Sequence, residues 1–135
     1  MNIPTFADLG GKVWEIRRYV DPNQPGWSAF NPSIAYSPEE GYAILFRSSN
    51  YFYDSKTRTA RATGVGKDRN MVENRLWFAY LSNDLKLIES SLKEVFFGPW
   101  ELTLYRGVED ARLFWRDGGW EFTATVFERH AIAYP

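Results

Sequence analysis

Short segments in which apolar and polar residues alternate dominate this chain and predict β-strands. In segment 42–47 the even-numbered positions hold tyrosine, isoleucine and phenylalanine, whereas the odd-numbered positions hold alanine, leucine and arginine. Because successive side chains of a strand point to opposite faces, these two sets predict a strand with two distinct faces. The same criterion predicts further strands over 12–20, 34–36 and 73–82, a hairpin over 111–127, and a strand that begins at 131–134.

Glycine, proline and acidic or amide residues separate these segments and predict turns. Turns are expected at Ser37–Gly41, at Asn83–Asp84 and at Asp117–Gly119, the last as the turn of the 111–127 hairpin. Residues 48–72 lack a clear pattern and predict a long, basic, irregular loop. Segment 85–97 is predicted to hold one or two strands, with a short helix over 90–95 as the alternative.

Two parts of the pattern resemble each other at an offset of about 79 residues. Asn31–Tyr36, a turn and segment 42–47 match Asp110–Trp115, a turn and segment 120–125. Antiparallel β units repeated at such a period are typical of β-propeller blades. The predicted fold is therefore all-β, with propeller-like antiparallel blades in one domain, 1–135, divided into about two blades, 12–82 and 83–135. Since propellers usually have about four to eight blades, we expect a part of a propeller or sheet edges completed by assembly.

Composition narrows the functional classes. The 18% of aromatic residues favours strands and suits the stacking of rings on sugars, while a formal net charge of −1 gives no general attraction to nucleic acid or membranes. The absence of cysteine and the single histidine exclude cysteine-bound zinc and sites with several histidines. No signal peptide is visible at the N-terminus, so the expected location is the cytoplasm or a larger particle.

Candidate chemistry lies where the predicted strands begin or end. Asn31, Arg47, Glu109, Asp110 and Arg112 occupy comparable ends of the two repeated units, where a charge is costly unless it is paired or used. Carboxylates, an amide and arginines that converge in this way suit a hydroxyl-rich substrate. As neighbours on a strand, Glu109 and Asp110 should point to opposite faces. We expect Asp110 to be the one that faces the substrate. The alternative is that Glu109, Asp110 and Arg112 form only a salt-bridge network that locks the units together.

The order of these motifs resembles the family 130 glycoside hydrolases and phosphorylases and the propeller domains related to them. The resemblance rests on an Asn-Pro pair at Asn31, a strand that ends at Arg47, the strand 77–82 followed by an aspartate, and the Gly-x-Glu-Asp-x-Arg pattern over 107–112. It covers residues 30 to about 127, which is under half of a full, five-bladed family member. Ala111 stands where the family usually has proline.

The resemblance implies a carbohydrate-active protein that cleaves mannosides or related glycans with inversion. Asp110 would be the catalytic proton donor, and Asn31, Arg47, Glu109 and Arg112 would bind substrate. No metal and no organic cofactor is expected, and inorganic phosphate is a candidate co-substrate. The expected partners are an oligosaccharide and further chains in a homo-oligomer or larger assembly, without nucleic acid or membrane. The alternative is a non-catalytic module, derived from such a glycosidase, that binds glycans or forms a structural joint.

Overall fold

The computed structural model of the chain describes residues 27–62, 72–96 and 104–128, and these residues form antiparallel β structure without an α-helix. The all-β prediction is therefore confirmed for this part of the chain. The strands are β1 (Ser28–Ser37), β2 (Gly41–Ser49), β3 (Tyr51–Asp54), β4 (Thr59–Ala62), β5 (Asn74–Leu81), β6 (Lys93–Glu94), β7 (Leu104–Arg116) and β8 (Gly119–Glu128), with a 3-10 helix at Glu89–Ser91. Within these residues, no helix has the length and apolar character needed to cross a membrane.

Four strands form the larger sheet, in the order β1-β2-β5-β6, and each adjacent pair is antiparallel. Ser37 closes the β1–β2 turn, because its hydroxyl accepts hydrogen bonds from the backbone N–H groups of Glu39 and Glu40. The hairpin β3–β4 is inserted between β2 and β5 and pairs only with itself among the described strands. The sheet thus folds back and forth in chain order around one insertion.

The second sheet is the hairpin β7–β8, which packs against β1, β2 and β5 of the larger sheet. Its turn holds Asp117 at φ 52° and Gly118 at φ 79°. Positive φ at both central residues is the geometry of a type I′ turn, whose twist matches that of the flanking strands. The predicted hairpin and its turn are confirmed, but β7 begins at Leu104 rather than at residue 111, so Glu109 and Asp110 lie within the strand and not at its beginning.

Strand β2 is buried on both faces, and its alternating residues contribute to two apolar clusters. One cluster lies between the sheets and contains Ala43, Leu45, Leu76, Phe78, Val108, Ala111 and Leu113. The other lies on the opposite face of the larger sheet and contains Ile44, Phe46, Ala79 and Leu81. The two-faced pattern predicted for segment 42–47 is therefore confirmed, and Arg47 follows the face that points towards the second sheet.

Several boundaries differ from the sequence predictions. The first strand covers Ser28–Ser37 rather than 34–36, and the predicted loop 48–72 contains the β3–β4 hairpin. Residues 85–96 of the predicted segment 85–97 hold the 3-10 helix and the two-residue strand β6 instead of a longer element, and residue 97 lies outside the described residues. Because β6 pairs with β5, the larger sheet extends to Glu94 and not only to residue 82. The strands predicted over 12–20 and 131–134, and residues 63–71 of the predicted loop, lie outside the described residues.

The two hairpins β1–β2 and β7–β8, called here the first and second units, repeat one another in detail. Each has a register shift in its first strand, between Phe30 and Ser33 in one and between Glu109 and Arg112 in the other. Each also carries an aromatic pair beside its turn, with ring centroids 4.9 Å apart for Tyr36 and Tyr42 and 5.0 Å apart for Trp115 and Trp120. Because the register shifts and the aromatic pairs recur at the predicted offset of about 79 residues, the repeat is present in the structure as well as in the sequence.

Candidate functional site

The two register shifts are β-bulges that turn Asn31 and Asp110 towards each other. Asn31 has φ 46° and Asp110 has φ 51°, in the left-handed region that side-chain-bearing residues seldom adopt. Asparagine and aspartate tolerate this conformation best, which explains why they occupy the two bulges. The side-chain amide of Asn31 donates a hydrogen bond to Oδ1 of Asp110, across 79 residues of sequence. Strained backbone of this kind is concentrated at functional sites in proteins.

Arg47 lies beneath this pair and is the buried charge of the site, with its side chain only 8% exposed. Its Nη1 atom lies 3.0 Å from Oε2 of Glu109 and 3.9 Å from Oδ1 of Asp110. Its guanidinium carbon lies 5.8 Å from the centre of the Phe30 ring, and within the described residues its Nε has no hydrogen-bond partner. Arg47 thus joins β2 to β7 by two carboxylates at once.

Glu109 is held on both carboxylate oxygens. One oxygen, Oε2, forms the ion pair with Arg47, and the other, Oε1, accepts a hydrogen bond of 2.8 Å from Nδ2 of Asn74. The prediction that Glu109 and Asp110 point to opposite faces is wrong, because both reach Nη1 of Arg47. The bulge adds a residue and breaks the alternation on which that prediction depended. Glu109 therefore positions Arg47, with a side chain that is 24% exposed.

Asp110 is the solvent-accessible carboxylate of the site, with its side chain 50% exposed. Asn31 and Arg47 both approach Oδ1. No hydrogen bond from a described residue reaches Oδ2, so this oxygen can accept a hydrogen bond from a ligand. The arrangement therefore presents one carboxylate oxygen and the adjacent amide of Asn31, itself on an exposed residue, at the surface.

Arg112 follows the bulge and contacts the backbone instead of a carboxylate. Its Nη1 atom donates to the carbonyl oxygen of Ala111 at 3.1 Å and to that of Asp110 at 3.4 Å. Among the described residues it forms no ion pair, so the predicted network through Arg112 is wrong in that respect. Arg112 is exposed, and its guanidinium remains available for an anion beside Asp110.

The structure therefore brings four of the five predicted residues, Asn31, Arg47, Glu109 and Asp110, into direct contact and places Arg112 beside them. The sequence pattern did not single out Asn74, although this amide is the first residue of the apolar strand β5. We call the five contacting residues, Asn31, Arg47, Asn74, Glu109 and Asp110, the Arg47 cluster. Its one cation and two carboxylates, together with two amides, suit polar, hydroxyl-bearing ligands. In the part of the chain that the structure describes, no group of three or more acidic or histidine side chains is arranged for a metal ion.

No protein-family model, curated protein or solved structure matches this chain.

Proposed function

We propose that this protein is carbohydrate-active and that a sugar binds at the surface formed by Asn31 and Asp110. The observation that carries the proposal is the pair of strained bulges, which direct an amide and a half-exposed carboxylate to one point. An amide donates and accepts hydrogen bonds and a carboxylate accepts them, which matches the paired donors and acceptors of adjacent sugar hydroxyls. The buried Arg47 holds Asp110 from behind and thereby fixes the direction of its accessible oxygen.

In this proposal Asp110 is the proton donor to the glycosidic oxygen. An inverting hydrolase also needs a second carboxylate, about 6.5–9.5 Å away, to activate water. Glu109 is engaged on both oxygens by Arg47 and Asn74, so it is poorly suited to that task. This favours phosphorolysis, in which inorganic phosphate attacks the anomeric carbon while Asp110 protonates the leaving oxygen. The exposed guanidinium of Arg112 would bind the phosphate, since arginine and phosphate form charge-assisted hydrogen bonds.

The substitution Asp110→Asn tests this role. Asparagine keeps Oδ1 and therefore the hydrogen bond from Asn31, but it cannot deliver a proton. We expect the variant to remain folded, with a small loss of stability because Asp110 no longer pairs with Arg47. It should lose turnover of manno-oligosaccharides by at least about a hundredfold, the usual contribution of an acid catalyst. The assay follows release of the sugar or of its 1-phosphate, with and without inorganic phosphate.

Asp117→Asn is a matched control, because Asp117 also has positive φ, at 52°, and lies in the same hairpin, but on the far turn. It removes the same charge and should leave turnover unchanged. Equal turnover in the wild type and in Asp110→Asn would refute the role of Asp110 as the acid.

A second candidate function is a non-catalytic glycan-binding module or structural joint. It is favoured by the bridge that Arg47 makes from β2 to β7, which links the two units whatever else the site does. This candidate predicts glycan binding without turnover in the wild type, or no glycan binding at all. The same assay, together with a direct binding measurement, separates the two functions.

We further propose that the two sheets are successive blades of a propeller-like assembly. The larger sheet is a four-stranded antiparallel meander, and the second unit packs on it through the strand equivalent to β1. The site lies at the same end of both units, as a site shared by successive blades requires. A low-resolution envelope of the complete assembly would test this arrangement, since a ring with a central opening is expected.

A further inference from the structure

The second unit packs on the larger sheet through one face, and that face has an equivalent in the first unit. The packed face consists of the cross-strand pairs Leu113–Phe122 and Trp115–Trp120. Leu113 is only 7% exposed there, and its backbone N–H donates a hydrogen bond of 3.0 Å to the hydroxyl of Ser33 on β1. This contact shows how one unit of the repeat packs against the next.

In the first unit the equivalent pairs are Ile34–Ile44 and Tyr36–Tyr42. Ile44 is buried, but Ile34 is 51% exposed and Tyr36 is 57% exposed. Large apolar side chains this exposed, adjacent on one strand, are typical of an interaction site when they form a patch. We call this surface the Tyr36 face. It has the same place in the first unit that the packed face has in the second.

The other side of the second unit is also open. Its cross-strand pairs are Arg112–Thr123 and Phe114–Glu121. The corresponding pairs in the first unit are Ser33–Leu45 and Ala35–Ala43, and there they face the second unit. Thr123 and Thr125 are exposed, and the guanidinium of Arg116 lies 5.9 Å from the centre of the Phe114 ring. We call this surface the Thr123 face. The Tyr36 face of the first unit and the Thr123 face of the second unit are thus the two complementary halves of the interface that joins the units internally.

We propose that a second copy of this chain docks head to tail, with the Tyr36 face of one copy against the Thr123 face of the next. The internal contact between the units supplies the geometry, because the same rotation that relates the first unit to the second would place the next copy. The side chains suit each other: tyrosine and arginine are enriched in protein interfaces, and arginine stacks on aromatic rings. An interface between two different surfaces closes into a ring when its rotation permits. This inference does not depend on carbohydrate binding.

The test uses variants that each remove one face. Ile34→Lys with Tyr36→Lys disables the Tyr36 face, and Thr123→Lys with Thr125→Lys disables the Thr123 face. The mass in solution is measured by light scattering and sedimentation over a wide range of protein concentration. The wild type should show multiples of the 15.7 kDa chain, and each variant should be a monomer at concentrations where the wild type assembles. An equimolar mixture of the two variants should form a dimer and no larger species, because each keeps one intact face.

The exposed residue Ser90 provides the control, since Ser90→Lys adds charge at a residue that belongs to neither face and should not change assembly. Unfolding curves establish that every variant is folded, and the single changes Tyr36→Asp and Thr125→Arg replace any double variant that is not. A wild type that remains a monomer at every concentration overturns the proposal. So does a mixture that fails to form the dimer, or a Thr123-face variant that still dimerises, which would indicate a twofold contact between two Tyr36 faces.

Discussion

The first and second units have the same backbone and different chemistry at equivalent positions. Both have a bulge with a left-handed residue, but the residue is the amide Asn31 in one and the carboxylate Asp110 in the other. The bulge provides a direction for a side chain, and the side chain then determines what can be bound. A repeated unit can therefore supply two different groups to one site without any change in fold.

Burial separates the units more sharply than residue type does. Leu113 and Ile34 are equivalent aliphatic residues, yet one is 7% exposed and the other 51%. The difference follows from their neighbours, because the second unit rests on the larger sheet and nothing described rests on Ile34. Equivalent substitutions in the two units should consequently have unequal effects on stability.

Arg47→Met should cause the largest loss of stability, because it leaves the carboxylates of Glu109 and Asp110 without their shared cation. Removing one partner of a buried ion pair usually costs about 3–5 kcal/mol. Arg116→Met is the control: its side chain is 63% exposed and pairs with Glu121, so a loss below about 1 kcal/mol is expected. The free energy of unfolding in urea checks both variants, and equal losses would contradict the central position of Arg47.

Leu113→Ala should cost about 2–5 kcal/mol, as expected for a leucine truncated in a packed core. Ile34→Ala, at the equivalent position of the first unit, should change the free energy of unfolding by less than about 0.5 kcal/mol, as is usual at the surface. Both are measured in the background that lacks the Thr123 face, so that assembly does not contribute. Similar costs at the two positions would mean that Ile34 is covered within the monomer.

Exchanging the two bulge residues should separate stability from function. Asn31→Asp alone places two carboxylates together and removes a hydrogen bond, which we expect to cost about 1 kcal/mol or more. Adding Asp110→Asn should recover most of this loss, because an amide again donates to a carboxylate. Turnover should stay low in the exchanged protein, since the acid has moved to the other unit. A double-mutant cycle measures the coupling, and simple additivity of the two changes would show that no such bond exists.

The smallest effect concerns the far end of the units, where Glu40 joins them by accepting hydrogen bonds from Tyr80 and from Nε1 of Trp120. The hydrogen bond to Glu40, and secondarily burial, raise the pKa of Tyr80 above its usual value. The neutral phenol of Tyr80 is the form that stabilises the folded protein. Its contribution to the free energy of unfolding is complete below the pKa of about 10 that tyrosine has in the unfolded chain, and it is lost as the pH rises through the higher pKa of the folded state.

Tyr80→Phe should therefore be less stable than the wild type near neutral pH, and the difference should shrink at alkaline pH beyond the unfolded pKa. Urea unfolding of both proteins across the alkaline range measures this change. A difference that stays constant with pH would mean that the Tyr80 hydroxyl does not contribute through Glu40.

The strands and turns that depend on local pattern could be predicted from the sequence. Segment 42–47 alternates clearly, and Asp117-Gly118 has the residues that a type I′ turn requires. The first strand was predicted too short because Pro32 interrupts its pattern, and the bulge at Phe30–Ser33 is what accommodates that residue. The β3–β4 hairpin was missed because its polar residues, from Asp54 to Thr59, are typical of a loop.

The sequence predicted which residues form the site better than it predicted how those residues are arranged. Asn31, Arg47, Glu109 and Asp110 were identified because polar groups at strand ends must be paired or used. Their distances depend on two bulges, and each bulge breaks the alternation from which the sequence prediction was made. Asn74 carried a related signal, a polar residue at the start of a buried strand, but its partner Glu109 lies on another sheet.

The most direct test of the central claim is a binding titration of the wild type with manno-oligosaccharides, followed by NMR of the assigned backbone and side-chain amides. We expect chemical-shift changes concentrated at Asn31, Asp110 and Arg112. These changes should disappear in Asp110→Ala and persist in Asp117→Ala. Shifts elsewhere, or none with any oligosaccharide tested, would contradict a carbohydrate site at the two bulges and leave the Arg47 cluster as a structural joint.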